Sequence, residues 1–161
     1  MINTGKILVL GYGNTSRQDD GVANGLINRL NKIIEKEKIK GVELLSNAQL
    51  YMEDALVISE KDIVIFVDAS IEEIDDILFT KVEADSPGSG FTFHNVSPGF
   101  ILNLCHKLYN KYPEVYLLHI KGYEWEIKEC LSKNAEANLK KALSLLYAII
   151  KNPDNIQNYL S

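Results

Sequence analysis

The chain has 161 residues, a length that suits one domain with a single buried core. Hydrophobic residues make up 46% of the sequence and charged residues 24%, as in folded proteins and unlike disordered ones. The formal net charge is −5, and no stripe of Lys and Arg with interleaved aromatic residues occurs. This argues against a nucleic-acid partner, because phosphates are bound by clustered cations.

The sequence shows no sign of export or membrane insertion. Its first residues lack the basic region, apolar run and small-residue cleavage site of a secretory signal. No apolar run approaches the ~20 residues that span a bilayer. The two cysteines, Cys105 and Cys130, lack the C-x-x-C spacing of a metal or redox site. We therefore expect reduced thiols in a cytoplasmic protein that uses no membrane.

Strand-like segments alternate along the chain with segments of helical periodicity. The predicted strands are short and rich in apolar and β-branched residues, and they are 6–10, 42–45, 62–68, 77–82 and 115–120. The predicted helices repeat apolar residues every three or four positions, and they are 21–38, 50–59, 97–109 and 132–150. Ser97 followed by Pro98 favours a capped start for the third helix.

This alternation predicts an α/β fold, a three-layer sandwich with helices on both faces of a mostly parallel, twisted sheet of about five strands. The nearly all-apolar segments 6–10 and 63–67 are predicted as central strands, and 77–82, which alternates more, as an edge strand. Residues 1–161 are interpreted as one domain. A site is expected where strands end, just after Leu10, Val67 and the strand near Val82.

The first strand leads into Gly-Tyr-Gly-Asn-Thr-Ser-Arg-Gln-Asp-Asp-Gly, residues 11–21, and then into a helix. Gly-x-Gly after a strand occurs in dinucleotide-binding proteins, but Ser16 stands where the third glycine of that motif is expected. The segment instead offers two adjacent carboxylates, Asp19 and Asp20, at a helix start. We expect one of them to cap the helix and the other to be free to bind a ligand.

Two more polar residues follow predicted strands. Asp68 closes the apolar strand 62–68, and an aspartate there is more often functional than structural, because burial without a partner costs free energy. His94 lies in a polar loop after the edge strand, which we place at the same end of the sheet as Asp20 and Asp68. Two carboxylates and one imidazole that converge could hold a borderline divalent cation with open coordination positions.

Nucleophilic catalysis fits the sequence less well. Cys105 and His106 are adjacent on a predicted helix and point about 100° apart, so they cannot form a nucleophile–base pair. His119 lies inside a strand pattern, where a packed or hydrogen-bonded histidine is expected. The Gly-x-Ser-x-Gly motif of serine hydrolases does not occur in the sequence.

Taken in order, the motifs resemble those of the maturation endopeptidases of nickel–iron hydrogenases. The similarity begins with Ile-Leu-Val-Leu-Gly-x-Gly-Asn at 7–14 and Asp-Asp-Gly at 19–21, continues with Gln-Leu at 49–50 and Ile-Phe-Val-Asp-Ala at 65–69, and extends to about residue 147. Many relatives carry a histidine directly after Ser-Pro, where this chain has Gly99. His94, four residues before Pro98, is similar to the histidine of the branch that serves soluble, cofactor-reducing hydrogenases. The alternative is that the histidine ligand has been lost.

The resemblance implies an aspartyl-type endopeptidase that removes the C-terminal extension of a nickel-loaded hydrogenase large-subunit precursor. It implies that Asp20, Asp68 and His94 contact the nickel of the precursor and that Asp20 and Asp68 are catalytic. No tightly bound cofactor is implied, since the nickel belongs to the substrate and acts as a recognition key. The alternative is a non-catalytic, metal-sensing assembly module that binds the same precursor without cutting it.

Overall fold

The computed structural model of the chain describes residues 6–86 and 96–161. Its strands are β1 (Ile7–Tyr12), β2 (Val42–Asn47), β3 (Ile63–Ser70), β4 (Ile77–Lys81) and β5 (Glu114–Lys121). They form one five-stranded sheet in the order β2-β1-β3-β5-β4. All neighbouring pairs are parallel except β4 and β5, so that β4 is an antiparallel edge strand.

Four α-helices cover the two faces of this sheet, α1 (Val22–Glu37), α2 (Asp54–Ser59), α3 (Pro98–Tyr109) and α4 (Lys133–Lys151). Helices α1 and α4 bury their apolar residues against one face, and α2 and α3 against the other. Short 3-10 helices span Gln18–Gly21 and Pro153–Tyr159. The predicted three-layer α/β sandwich with a mostly parallel sheet is confirmed.

The central strands are apolar over their first four or five residues because both of their faces are covered. In β1, Leu8 and Leu10 point toward α2 and α3, whereas Ile7 and Val9 point toward α1 and α4. Strand β3 alternates in the same way. Alternate side chains of a strand face opposite sides of the sheet, so a strand between two helical layers needs apolar residues at every position. The prediction that 6–10 and 63–67 are central strands is therefore confirmed.

Several local predictions are confirmed and one boundary is wrong. Helix α3 starts as expected, because Ser97 Oγ accepts a hydrogen bond from the Phe100 amide at 3.1 Å and Pro98 follows the cap. Both cysteines are free thiols, Cys105 buried and Cys130 exposed. Helix α2 is shorter than predicted, since residues 51–53 form a turn before it. No helix within the described ranges is long and apolar enough to cross a membrane.

The direction of β4 contradicts one expectation about the site. Ile77 pairs with Ile120 and Lys81 with Tyr116, so β4 runs against β5 and ends beside the beginning of that strand. The carboxyl end of β4 therefore lies at the opposite end of the sheet from the carboxyl ends of β1 and β3. The prediction that the strand near Val82 ends with them is wrong. Only six residues join β3 to β4, and a connection that short reverses the direction of the chain.

Candidate active site

Asp68 lies near the end of β3, next to β1. The β1–β3 pairing runs to Gly11 and Val67, so Tyr12 and Asp68 are the residues that follow the last pair. The side chains of both residues point to the side of the sheet that α2 and α3 cover, and Tyr12 packs against the apolar core on that side. The Tyr12 hydroxyl donates a hydrogen bond to the Asp68 carboxylate.

The surroundings of Asp68 make its carboxyl group titrate near neutral pH. Burial raises the pKa of Asp68 to about 7, and the negative charge of Asp20 raises it too, although the hydrogen bond from Tyr12 opposes both. Burial also raises the pKa of the Tyr12 hydroxyl, as does the neighbouring Asp68 charge. A carboxyl group with a pKa close to the working pH can both accept and release a proton, which general acid–base catalysis requires.

Asp20 is placed beside Asp68 by the loop that follows β1. Its carboxylate Oδ2 accepts a hydrogen bond from the Asn14 amide at 2.8 Å. Gly13, at φ 157°, brings the loop so close that a Cβ atom there would lie 1.9 Å from the Asp20 carbonyl oxygen. Asp20 and Asp68 line one cavity of about 380 Å³, whose other lining residues are Arg17, Ala69, Ile71 and Trp125.

Asp19 has a structural role, but it does not cap the helix as expected. Residue Gly21 precedes α1, and no side chain caps that helix start. Asp19 is instead fully buried, and its carboxylate accepts hydrogen bonds from the amides of Tyr123 (2.8 Å), Glu124 (3.0 Å) and Ser132 (2.8 Å) and from the Ser132 hydroxyl (2.7 Å). Burial alone would raise the pKa of Asp19, but the hydrogen bonds outweigh it and the pKa is lowered.

The third predicted ligand, His94, lies outside the described residues and stays a prediction. His119 pairs in register with Asp68, but its Nε2 lies 3.1 Å from Thr80 Oγ1 of β4, and burial lowers its pKa. The His106 ring packs on Tyr112 with centroids 4.5 Å apart. Within residues 6–86 and 96–161, no group of three His, Cys, Asp or Glu side chains could hold a metal ion.

The environment of Cys105 agrees with the exclusion of a cysteine nucleophile. Its thiol is buried and lies 3.5 Å from the Lys111 carbonyl oxygen. Burial raises the pKa of the thiol, so that it stays protonated and unreactive at neutral pH.

Sequence reasoning missed Tyr12, which lies beside Asp68, and Arg17, which lines the cavity. It indicated residues 124–126 only as a possible peptide contact, and Trp125 of that stretch lines the cavity too. The period-2 pattern of β1 and β3 carried a signal for Tyr12, because it places that side chain on the face of Asp68. Arg17 and Trp125 meet across more than a hundred residues of sequence, where Arg17 Nη2 donates to the Trp125 carbonyl oxygen at 3.3 Å. The indole lies over Gly122, where a Cβ atom would be 2.7 Å from the ring.

Solved structures with similar folds include hydrogenase maturation proteases. One is HycI from Thermococcus kodakarensis KOD1, with a TM-score of 0.70 and 20% identity over 91% of this chain and 93% of that one. Another is the hydrogenase maturating endopeptidase HybD from E. coli, with a TM-score of 0.70 and 20% identity over 92% and 93% of the two chains. A third is the hydrogenase 2 maturation peptidase of a Thaumarchaeota archaeon, with a TM-score of 0.66 and 20% identity over 90% and 97%.

No protein-family model matches the sequence, and no curated protein matches it significantly. The structural likeness covers nearly the whole length of both chains. The fold that the sequence resemblance implies is thereby confirmed, and the chain has the fold of the nickel–iron hydrogenase maturation proteases.

Proposed function

We propose that this chain is an endopeptidase that removes the C-terminal extension from a nickel-loaded hydrogenase large-subunit precursor. The observation that carries the proposal is the meeting of Asp20 and Asp68 in one cavity beyond the ends of β1 and β3. Ligands and substrates of open α/β sheets bind at that position. The fold shared with proteins named hydrogenase maturation proteases gives independent support.

The two aspartates differ in their surroundings, and this suits a division of labour. Asp68 is partly buried and titrates near neutral pH, so it is suited to take a proton from the attacking water and to release it to the leaving amine. Asp20 lies at the cavity with one oxygen fixed by the Asn14 amide, and its other oxygen has no hydrogen bond to any described residue. That free oxygen is suited to contact nickel carried by the substrate.

The nickel in this proposal is part of the substrate. The chain needs no tightly bound metal or cofactor of its own, and Asp68 and His94 would join Asp20 in contacting the nickel of the precursor. A cavity of about 380 Å³ accommodates a few side chains of a peptide, so an extended segment of the precursor would enter while its folded part stays outside. Cleavage would occur in the cytoplasm.

The proposal is tested by mixing the purified protein with nickel-loaded and nickel-free precursor. We expect shortening of the loaded precursor alone, and we expect Asp20→Asn and His94→Ala to abolish it, because an amide is a poorer nickel ligand and alanine is none. Asp154→Asn, a matched change on an exposed carboxylate at the other end of the sheet, should process at the wild-type rate.

Two outcomes would contradict the proposal. Binding of the loaded precursor without any cleavage would show a non-catalytic, metal-sensing assembly module. Full processing by Asp20→Asn would show that the adjacent carboxylates Asp19 and Asp20 have only a structural role. Processing by His94→Ala at the wild-type rate would remove that histidine from the site while leaving the role of the aspartates in place.

A further inference from the structure

One exposed and one partly exposed apolar side chain line the cavity that holds Asp20 and Asp68. Ile71, in the 71–76 loop that follows β3, lines the cavity and is 77% exposed. Trp125, in the 122–132 loop that follows β5, lines it too, and Ile127 in the same loop is 85% exposed. Single exposed apolar residues are ordinary, but a group of them at the mouth of a cavity is typical of a surface that binds another molecule.

The 122–132 loop is fixed by the residues that precede α1. The Gln18 amide donates to the Lys128 carbonyl oxygen at 2.9 Å, and Gln18 Oε1 accepts from the Glu126 amide at 2.9 Å. Arg17 Nη2 holds the Trp125 carbonyl oxygen at 3.3 Å. The loop therefore presents its apolar side chains on a backbone that is already ordered, which lowers the entropy cost of binding a partner.

Both loops carry an excess of negative charge. The 71–76 loop contains four acidic residues and no basic one, and the 122–132 loop contains three acidic residues and one lysine. Glu72, Glu73 and Glu124 are exposed, and none of them forms an ion pair with any residue in the described ranges. The mouth of the cavity thus combines apolar side chains with an excess of acidic ones, and Arg17 is the cation among the lining residues.

We propose that the 71–76 and 122–132 loops form one docking surface for a basic peptide segment with apolar side chains, which they guide into the cavity. The apolar side chains of the segment would pack on Ile71 and Trp125, while its Lys or Arg residues would pair with Glu72 and Glu124. This inference rests on the proposed function, and it names the chemistry of the precursor segment that the site accepts. Nucleic acids and anionic lipids are excluded as occupants, because their charge has the same sign as the rim.

The first test measures binding without cleavage. Trp125 is the single tryptophan of the chain, so its fluorescence reports directly on this surface. The probes are three peptides of about twelve residues in length: one of Lys and Leu, one with Glu in place of Lys, and one with Ser in place of Leu. We expect the first to change the fluorescence saturably, with a Kd that weakens as salt is added, and the other two to bind at least about tenfold more weakly. Equal binding of the Lys and Glu peptides, or no response to the first, would overturn the inference.

The second test uses the nickel-loaded precursor and the Glu72→Lys/Glu124→Lys variant. Two attractions become repulsions at the rim, so KM should rise by about tenfold while kcat stays unchanged. The matched control is Glu60→Lys/Asp154→Lys, which reverses two exposed charges at the opposite end of the sheet and should leave KM unchanged. An unchanged KM in the first variant would count against the docking surface. If the wild type cleaves nothing, the proposed function fails, and the peptide titration still decides the docking surface on its own.

Discussion

Replacing Asp19 by Asn isolates the structural half of the acidic pair. The wild-type carboxylate is fully buried, and it accepts four hydrogen bonds through its two oxygens, three at Oδ2 and one at Oδ1. The best orientation of an asparagine keeps the carbonyl oxygen at the Oδ2 position. Its NH₂ group then faces the Ser132 amide, which is also a donor and loses its acceptor.

The expected cost follows from this geometry. One charge-assisted hydrogen bond is lost, one buried amide is left unsatisfied, and the remaining three bonds weaken without the charge, for a total of about 2–4 kcal/mol. Typical domains are stable by only about 5–15 kcal/mol, so the variant should fold but unfold at clearly lower urea concentration. The 122–132 loop should loosen as well, because the amides of Tyr123 and Glu124 bind the same carboxylate.

Urea unfolding, followed by circular dichroism and by Trp125 fluorescence, measures this cost. The pKa of Asp19 is lowered in the folded state, so its contribution is present above its ordinary value of 3.8 and is lost as the pH falls through the lowered value. The difference between wild type and variant should therefore shrink below about pH 3.8. Asp154→Asn is the control. Ordinary surface substitutions change the free energy of unfolding by up to about 0.5 kcal/mol. A difference between variant and wild type no larger than this at pH 7 would contradict the structural role of the Asp19 carboxylate.

Three further predictions concern the cavity. Gly13→Ala should lower both stability and processing, since its Cβ would meet the Asp20 carbonyl oxygen at 1.9 Å; wild-type urea unfolding would contradict this. Asp68→Asn should abolish processing yet stabilise the free protein at pH 8. The folded-state pKa of Asp68 is raised to about 7, so the wild type loses stability as the pH rises through that value, whereas the variant does not. The gain in the free energy of unfolding, about 1–3 kcal/mol at pH 8, should vanish near pH 4. Tyr12→Phe should raise the pKa of Asp68 further by removing a hydrogen bond to its carboxylate, and a carboxyl NMR titration that shows no rise would contradict it.

Local patterns were sufficient to predict the layers of the fold. Segments 6–10 and 63–67 are short and apolar at every position except Lys6, a pattern that is typical of a strand covered on both faces. The sequence could predict that Asp20 and Asp68 meet, because neighbouring parallel strands have their carboxyl ends at the same end of the sheet. The alternation of 77–82 says nothing about strand direction, but the length of the connection does. The six residues between β3 and β4 are too few for a parallel crossover, and the predicted position of the site did not use this signal.

The role of Asp19 could not be predicted from sequence for a different reason. Its partners, Tyr123, Glu124 and Ser132, lie more than a hundred residues away, and backbone amides as partners leave no trace in residue type. A helix cap needs only neighbours along the chain, so local reasoning favoured it. The same limit applies to Arg17 and Trp125, which meet only after β5 brings the 122–132 loop to the first loop.

The intact mass of a nickel-loaded hydrogenase large-subunit precursor, measured after incubation with the protein, tests the proposed cleavage. We expect a single lighter product that lacks the C-terminal extension, formed by the wild type and by Asp154→Asn and absent with Asp20→Asn or Asp68→Asn. An unchanged mass with the wild type, while the precursor demonstrably carries nickel, would contradict it. The same product formed with both aspartate variants would contradict it equally.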